Sequence, residues 1–481
     1  MPERSSDPHI LLSTVPDRFD VAILGGGMGG YPAAIRASQL GLRVALIEED
    51  KVGGTCLHRG CIPTKALLQS AALLDELQHA EAFGVTASAV SFDYAVAGRR
   101  RDQVVAQLFR GVEFLLKKNQ VSIVRGHGRL AGRGRIAVSG NSGDPIEVEA
   151  GAIVIASGSR AAQLPGLEAD GRQVLTSDDA VRSNTVPKSA IVLGAGAVGV
   201  EFASLYRSCG AEVTVVEMLP SLVPLEDADV GRELRKQFES RGIRCLVGTR
   251  LDVDSVQRNE GGIAVTVHAD DGKEERLQAE VLLVAVGRNG NVEDIGLDGT
   301  QVAVNHGAIV VDPHLRTQEP GVSAIGDVVG GFLLAHKALH EGVVAVEAIA
   351  GKDPQPNDPR RVPRTTYCTP QIGSLGLSEA EATAAGHEIQ VGVFPFRGNG
   401  RALIWGEPGG FCKVVADRQS GDVLGVHIVG HEVTELIWGP ALGALLETTA
   451  FEMGHSVAPH PTLSEAISEA ALAVHGEAIH I

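Results

Sequence analysis

The sequence predicts an α/β fold: two like-patterned halves, each opening on a strand, a glycine-rich turn and a helix, followed by a C-terminal α+β domain. Three observations predict it. A short apolar strand runs into Gly25-Gly26-Gly27-Met28-Gly29-Gly30. The pattern returns 169 positions later at Gly194-Ala195-Gly196-Ala197-Val198-Gly199. Gly351 to Pro363, with four prolines, then separates a last segment of mixed strands and helices. The 481 residues allow about three domains at roughly 150 residues each.

Bulk chemistry narrows the function classes. With 44% hydrophobic and 21% charged residues the chain has an ordinary globular composition. A formal net charge of −17 repels nucleic-acid phosphates and anionic lipid, so neither nucleic acid nor membrane is expected as a partner. Six cysteines are too few for a disulfide scaffold, and only Cys56 and Cys61 lie close together, which reads as a reducing compartment with one special pair. Met1 to Asp17 is polar apart from Ile10-Leu11-Leu12 and resembles neither a secretory nor a transit segment. No apolar run reaches about 18 uncharged residues, so a cytoplasmic location is expected.

In the first half, Phe19 to Leu24 reads as a strand, Tyr31 to Leu40 as a helix and Arg43 to Ile47 as a strand closing on Glu48. Gly25, Gly27 and Gly30 fit G-x-G-x-x-G: they permit the tight turn and let a pyrophosphate approach the helix N-terminus. The acid about 20 residues on suits ribose hydroxyls. This is the pattern of a dinucleotide site. Pro32 falls in the first helical turn, where it is tolerated.

Gly53 to Lys65 follows, with Cys56 and Cys61 separated by four residues. A helix from Thr64 to His79 places Cys61 just before a helix N-terminus, where the dipole favours a thiolate. One pair without a second is a poor zinc site, and no metal is expected. Taken alone, the spacing fits either a redox pair or two inert thiols. Asp93 to Lys118 reads as a helix whose Arg99-Arg100-Arg101 forms a solvated face with no function assigned. Val121 to Val148 reads as a small β-meander, Ala152 to Ala156 as a buried strand, and Ser157-Gly158-Ser159 as a turn.

The second half repeats the first: strand Ala190 to Leu193, the glycines Gly194, Gly196 and Gly199, helix Val200 to Cys209, and strand Glu212 to Val216 ending on Glu217. Two fingerprints imply two dinucleotides, one per domain. Glu217 repels a 2′-phosphate and Met218 to Val223 offers no basic residue to receive one, which favours NAD over NADP. A helix from Asp229 to Arg241, a hairpin from Thr249 to Leu277 and a strand from Val281 to Val286 complete this half, ending at Gly287-Arg288. Asp327, beyond Thr317 and just past a short apolar strand, either holds a polar group of the first dinucleotide or caps a helix at Val328. A helix from His336 to Ala350 leads into the proline-rich linker.

Beyond the linker, strands at Gly410 to Ala416 and Val423 to Val429 mix with helices at Ser378 to Ala385, Thr434 to Phe451 and Ser464 to His475. With no nucleotide signature, this domain reads as an interface. His460 lies five residues from Glu465, which can hold its tautomer and make it a base, although a histidine beside prolines is also an ordinary turn residue.

Two fingerprints around the cysteine pair, with Glu48, Glu217, Thr317 to Asp327, Leu334-Ala335-His336-Lys337, Gly425 to Gly430 and His460 to Glu465, resemble the FAD-dependent pyridine nucleotide-disulfide oxidoreductases, and among them those that oxidise dihydrolipoyl groups. The match runs from about Asp20 to His475. It implies two Rossmann-like FAD- and NAD-binding domains and a C-terminal α+β dimerisation domain. The boundaries are 19–160 and 288–352 for FAD, 161–287 for NAD and 353–481 for the interface.

The resemblance implies a redox disulfide between Cys56, which meets the substrate sulfur, and Cys61, which faces the flavin. It implies Glu48 on the adenosine ribose, Lys65 near the flavin paired with Glu201, Asp327 on the ribityl chain and Glu217 on NAD. Cofactor contacts are further implied for Thr55, Gly128, Ser157, Gly158, Leu334, Ala335, His336 and Gly287. His460, held by Glu465, is donated across a homodimer, and lipoyl domains of a multienzyme complex are the implied partners. Departures are His58-Arg59, where Asn-Val is common, Ala458-Pro459 before His460, and the histidines His340 and His431; these read as tuning of packing or substrate access. Two rival readings are a reductase of another disulfide or small thiol, and a structural flavoprotein subunit.

Overall fold

The computed structural model describes residues 18–87, 89–140 and 146–481. The N-terminal segment Met1 to Asp17 lies outside the described residues. The described residues form two compact units: residues 18–54, 112–140, 146–158 and 290–357 make the first, and residues 55–87, 89–111, 159–289 and 358–481 the second.

The first unit is built on a parallel sheet ordered Ser122–Arg125, Val44–Glu48, Phe19–Leu24, Ile146–Ile155, Val322–Ala324. Val21 stands opposite Val44 on one side and Ala152 on the other, and Val21, Ala22 and Ile23 are all fully buried. Such unbroken apolar strands fit a sheet covered on both faces. Helices Gly30–Gln39 and Ala335–Ile349 pack together, with Arg36 Nε donating to Glu347 Oε1 at 2.9 Å.

The expected meander is only partly antiparallel. His127–Leu130, Arg135–Ser139 and the first half of Ile146–Ile155 form it, whereas Ser122–Arg125 pairs parallel with Val44–Glu48. The predicted strand at Ala152 is the second half of that ten-residue strand, which serves both sheets.

The second unit holds a five-stranded parallel sheet ordered Ile243–Leu246, Glu212–Val216, Ser189–Leu193, Val281–Val284, Val174–Leu175. Thr249–Asn259, Gly262–Ala269 and Glu274–Ala279 form three antiparallel strands rather than one hairpin. At the C-terminal end, five antiparallel strands in the order Arg364–Thr366, Gln371–Gly376, Val423–Gly430, Phe411–Asp417, Ile389–Pro395 carry helix Glu465–Val474 on one face. Cys412, Val414, Val426, Ile428, Ala466 and Ala470 are fully buried there.

Two further expectations are corrected. Thr434 to Phe451 is three short helices, Val433–Leu436, Trp438–Leu445 and Ala450–His455; the last is set apart because Glu447 turns left-handed (φ +54°) and Thr449 opens a new helix with a capping box to Glu452. The arginine run is not uniformly solvated. Arg99 and Arg100 are exposed, but Arg101 is buried and donates to the carbonyls of Val181 (2.5 Å) and Ser183 (3.0 Å), closing the C-terminal end of helix Ser177–Arg182.

Candidate active site

The two glycine turns are built alike. Gly25 has φ +107°, and a Cβ there would stand 2.3 Å from the Ala156 carbonyl; Gly194 has φ +99°, and its Cβ would stand 2.5 Å from the Ala285 carbonyl. The closing glycines, Gly30 and Gly199, each pass so near the first that a Cβ would come within 1.8 and 1.9 Å of a carbonyl oxygen. Only glycine satisfies both geometries. The middle glycines face open space: a Cβ on Gly27 meets only the Gly54 Cα, at 3.9 Å, and one on Gly196 meets nothing within 4 Å. A phosphate can therefore reach the backbone at both turns.

Each acid also pins its own turn. Glu48 Oε2 accepts the Gly26 N–H at 2.7 Å and Oε1 the Asp50 N–H at 2.8 Å. Glu217 Oε2 accepts the Ala195 N–H at 2.7 Å and Oε1 the Leu219 N–H at 2.8 Å. A carboxylate oxygen accepts two hydrogen bonds, so both acids keep capacity for further donors such as hydroxyls while fixing the glycine turns.

The rest of the first unit's predicted set lies around this sheet. Ser157 Oγ donates to the Asn291 carbonyl at 2.8 Å, and Gly158 has φ +73°. Gly128 lies in strand His127–Leu130, so tight against Leu24 that a Cβ would stand 2.5 Å from that side chain. Asp327 is the second residue of the 3-10 turn Gly326–Val329, whose N-cap is Ile325, so the capping alternative does not hold. Leu334 is the N-cap of Ala335–Ile349, and His336 is exposed in its first turn. Beneath them a buried ion pair, Lys337 Nζ to Glu341 Oε1 at 2.8 Å, braces the turn, since Glu341 Oε2 accepts the Gly326 N–H at 2.7 Å. Burial pushes the Glu341 carboxyl upward, more than Lys337 and that N–H pull it down.

In the second unit, Cys56 and Cys61 are joined as a disulfide with Cα atoms 4.7 Å apart. The redox reading of the pair is the one the structure favours over two inert thiols. A helix not foreseen, Gly54–His58, contains Thr55 and Cys56. The redox helix runs Cys61–Gln78, so Cys61 is its first residue rather than the one before it; Pro63 fits the first turn because it needs no N–H partner there. Gly54 starts the segment at φ +57°, where a Cβ would stand 2.6 Å from Gly27 Cα. Between the cysteines, His58 packs edge-on to Phe109 (5.2 Å between centroids), and Arg59 Nε lies 3.8 Å from Asp178 Oδ2. Of the other unusual histidines, His431 packs edge-on to Trp405 at 4.7 Å and His340 is exposed.

One turn into the redox helix, Lys65 Nζ donates to both oxygens of Glu201 at 2.8 Å. Glu201 sits in helix Ala197–Ser208, directly after Gly196 and Gly199. Its Oε1 also accepts the Tyr367 N–H at 2.9 Å, and the Tyr367 ring centroid lies 4.7 Å from Lys65 Nζ. Nothing in the sequence near Tyr367 signals this role; it comes from strand Arg364–Thr366 ending against that helix. Farther along the redox helix, Asp75 accepts from Ser208 Oγ (2.6 Å) and Arg241 Nη2 (3.0 Å), so the two helices are tied at both ends. Gly287 follows strand Val281–Val284 with φ +125°.

His460 Nδ1 is 2.8 Å from Glu465 Oε1, and 77% of the histidine side chain is open. Burial raises the Glu465 carboxyl, but the His460 bond, the Thr462 N–H and the histidine charge outweigh it and hold the group below the usual carboxylate range. That fixes the tautomer with Nε2 free to take a proton. Among the described residues, one carboxylate group has metal-ligand spacing, Asp227, Asp229 and Glu379, and the buried Lys413 ammonium sits among them, 2.7 Å from Asp227 and from Asp229 and bonded to Glu379. The remaining thiols are free; burial pushes Cys209 and Cys245 up to about 12 and raises Cys368 and Cys412 further.

Comparison with known proteins agrees with this geometry. Residues 19–342 match the pyridine nucleotide-disulphide oxidoreductase family and residues 362–471 its dimerisation domain. A dihydrolipoyl dehydrogenase of Bacillus subtilis (strain 168) is 44% identical over 470 residues, covering 96% of this chain and 99% of that protein. One from Rhizobium etli is 45% identical over 481 residues with the same coverage. Among solved structures, LpdA from Mycobacterium tuberculosis superposes with a TM-score of 0.87 at 29% identity, covering 94% of this chain and 98% of that one. The HOCl-induced flavoprotein disulfide reductase RclA from Escherichia coli, solved as a Cu(II) complex, gives 0.83 at 25%, covering 95% and 99%. The chain is a member of the pyridine nucleotide-disulphide oxidoreductase family.

Proposed function

We propose that the chain is a dihydrolipoyl dehydrogenase, oxidising dihydrolipoyl groups to the cyclic disulfide with FAD and NAD as cofactors. The observation that carries the reading is the Cys56–Cys61 disulfide at the head of a helix whose next turn bears the Lys65–Glu201 pair. Its relatives along nearly the whole chain carry that name. The glycine turns and Glu48 and Glu217 fit two dinucleotides. The first turn, with Asp327, Ser157, Gly158, Gly128, Thr55 and the Leu334-Ala335-His336 helix start, is assigned to FAD. The second, with Glu201 and Gly287, is assigned to NAD.

The steps belong to the protein's own groups. The partner's His460 takes the proton from one substrate thiol through Nε2 while Glu465 steadies Nδ1. The substrate sulfur attacks Cys56, the Cys56–Cys61 bond breaks, and Cys61 leaves as a thiolate at the helix N-terminus. The second substrate thiol then attacks the substrate sulfur bound to Cys56 and passes its proton to Cys56 as that sulfur leaves. The lipoyl disulfide forms; Cys56 is left as a thiol and Cys61 as a thiolate, together holding the two electrons, and the first proton stays on the partner's His460. Bound FAD would supply a two-electron acceptor for the dithiol, and bound NAD a hydride acceptor.

Homodimer formation is supported by the match to a dimerisation domain and by exposed apolar side chains in that segment, among them Trp438, Leu445, Leu446, Phe451 and Val457. Lipoyl domains of a multienzyme complex are the partners this chemistry serves. A cytoplasmic setting suits four unpaired cysteines; no described helix is long and apolar enough to cross a membrane.

The test is a steady-state assay with dihydrolipoamide. Turnover is expected with NAD and little with NADP, and Cys61→Ser is expected to abolish it. Substantial turnover by that variant would sink the reading.

A further inference from the structure

Three hydrogen bonds from two donors converge on the buried Glu201 carboxylate: Lys65 Nζ on both oxygens and the Tyr367 N–H on one. Glu201 is 6% exposed and Lys65 32%, and the ammonium has a carboxylate on one side and the Tyr367 ring on another. A cation over an aromatic face is held by the ring's quadrupole, a contact worth more when partly desolvated. The ring is itself placed by its backbone. The Thr369 N–H donates to Ser204 Oγ at 3.0 Å, one turn beyond Glu201, and the Thr369 carbonyl accepts from Arg241 Nη1 at 2.7 Å. Residues 367–369 thus run along helix Ala197–Ser208 and need no hydroxyl contact from Tyr367.

We propose that Tyr367, from the C-terminal domain, is a positioning residue for Lys65: its ring face and N–H fix the Lys65–Glu201 pair so that the ammonium is presented at one point to the reacting flavin and thiolate. The proposal rests on the reading above that Lys65 borders the flavin. Lysine has four rotatable side-chain bonds, and a carboxylate alone leaves it free to swing about the carboxylate plane. The ring closes that arc. The aromatic face does the work, so phenylalanine substitutes for tyrosine and an aliphatic residue does not.

The test uses the FAD-loaded protein, half-reduced, and follows the thiolate-to-flavin absorbance band against pH in four proteins: wild type, Lys65→Met, Tyr367→Leu and Tyr367→Phe. Lys65→Met is expected to move the midpoint up, because a cation beside the thiolate is lost. Tyr367→Leu is expected to move it in the same direction by a smaller amount, about half a pH unit, and Tyr367→Phe to leave it in place. An unmoved Tyr367→Leu profile beside a moved Lys65→Met profile overturns the Tyr367 role alone. Equal displacement in Tyr367→Phe and Tyr367→Leu also overturns it. An unmoved Lys65→Met profile overturns the placement of Lys65 itself. Tyr367→Met gives the same reading if Tyr367→Leu does not fold.

Discussion

Glu217 shows how one side chain carries two tasks. Its oxygens hold the Ala195 and Leu219 N–H groups, which shapes the glycine turn, and the proposal above gives their remaining lone pairs to a ribose. Glu217→Ala is expected to raise the NAD Michaelis constant at least tenfold, since hydrogen bonds to a charged group contribute about 1.5–3 kcal/mol. An unchanged constant would count against the ribose role. His460 acts at the same scale. His460→Gln is expected to slow dihydrolipoamide oxidation by about 10²–10⁴ while leaving flavin absorbance intact, the range for loss of a general base. Stopped-flow reduction by substrate checks both points.

Among the elements, short helices are tied down by charged side chains from distant parts of the sequence. Lys413, on strand Phe411–Asp417, reaches the N-terminus of helix Ala228–Ser240, where Asp227 is the N-cap. Lys413→Met leaves the buried Asp227 carboxylate without its cation and is expected to cost about 3–5 kcal/mol, as broken buried pairs do. The urea midpoint reads that loss. By contrast Thr176→Ala removes only the capping box of helix Ser177–Arg182 and is expected to cost about 1 kcal/mol.

For the whole molecule, acid stability follows from carboxylates held low. Glu381, Glu465 and Glu469 each have burial working upward and hydrogen bonds from neighbouring groups outweighing it. A carboxylate with a depressed folded value stabilises the fold above its unfolded value and loses that contribution as pH falls through the folded one. The urea midpoint is therefore expected to hold from pH 7 to about 5 and to fall steadily below about 4. Thiol chemistry is equally global. With burial raising the four scattered cysteines, iodoacetamide at pH 8 is expected to label none of them in the folded oxidised protein, and only Cys56 and Cys61 after reduction. Peptide mapping identifies the labelled sites.

The sequence by itself determined the features that local chemistry dictates. Gly25 and Gly30, with Gly194 and Gly199, were legible because no other residue fits those turns. The acids Glu48 and Glu217 were legible by their spacing, whereas their hold on the Gly26 and Ala195 N–H groups was not. The central strands of both parallel sheets were legible for the same local reason: Val21 to Leu24 and Ala190 to Leu193 are unbroken apolar runs, and all eight residues are buried. Only the tertiary structure decided what depends on approach across long stretches of chain. Arg101 looked like one of three solvated arginines until helix Ser177–Arg182 was seen to end against it. The separation of Ala450–His455 from the helices before it turned on one left-handed residue, Glu447, which carries no compositional mark. Tyr367 lies 302 positions beyond Lys65 in the chain, and its ring and N–H acquire a role only when folding brings them to the Lys65–Glu201 pair. Period and spacing fix local geometry, whereas an ion pair or ring contact between distant residues depends on packing that no short window of sequence contains.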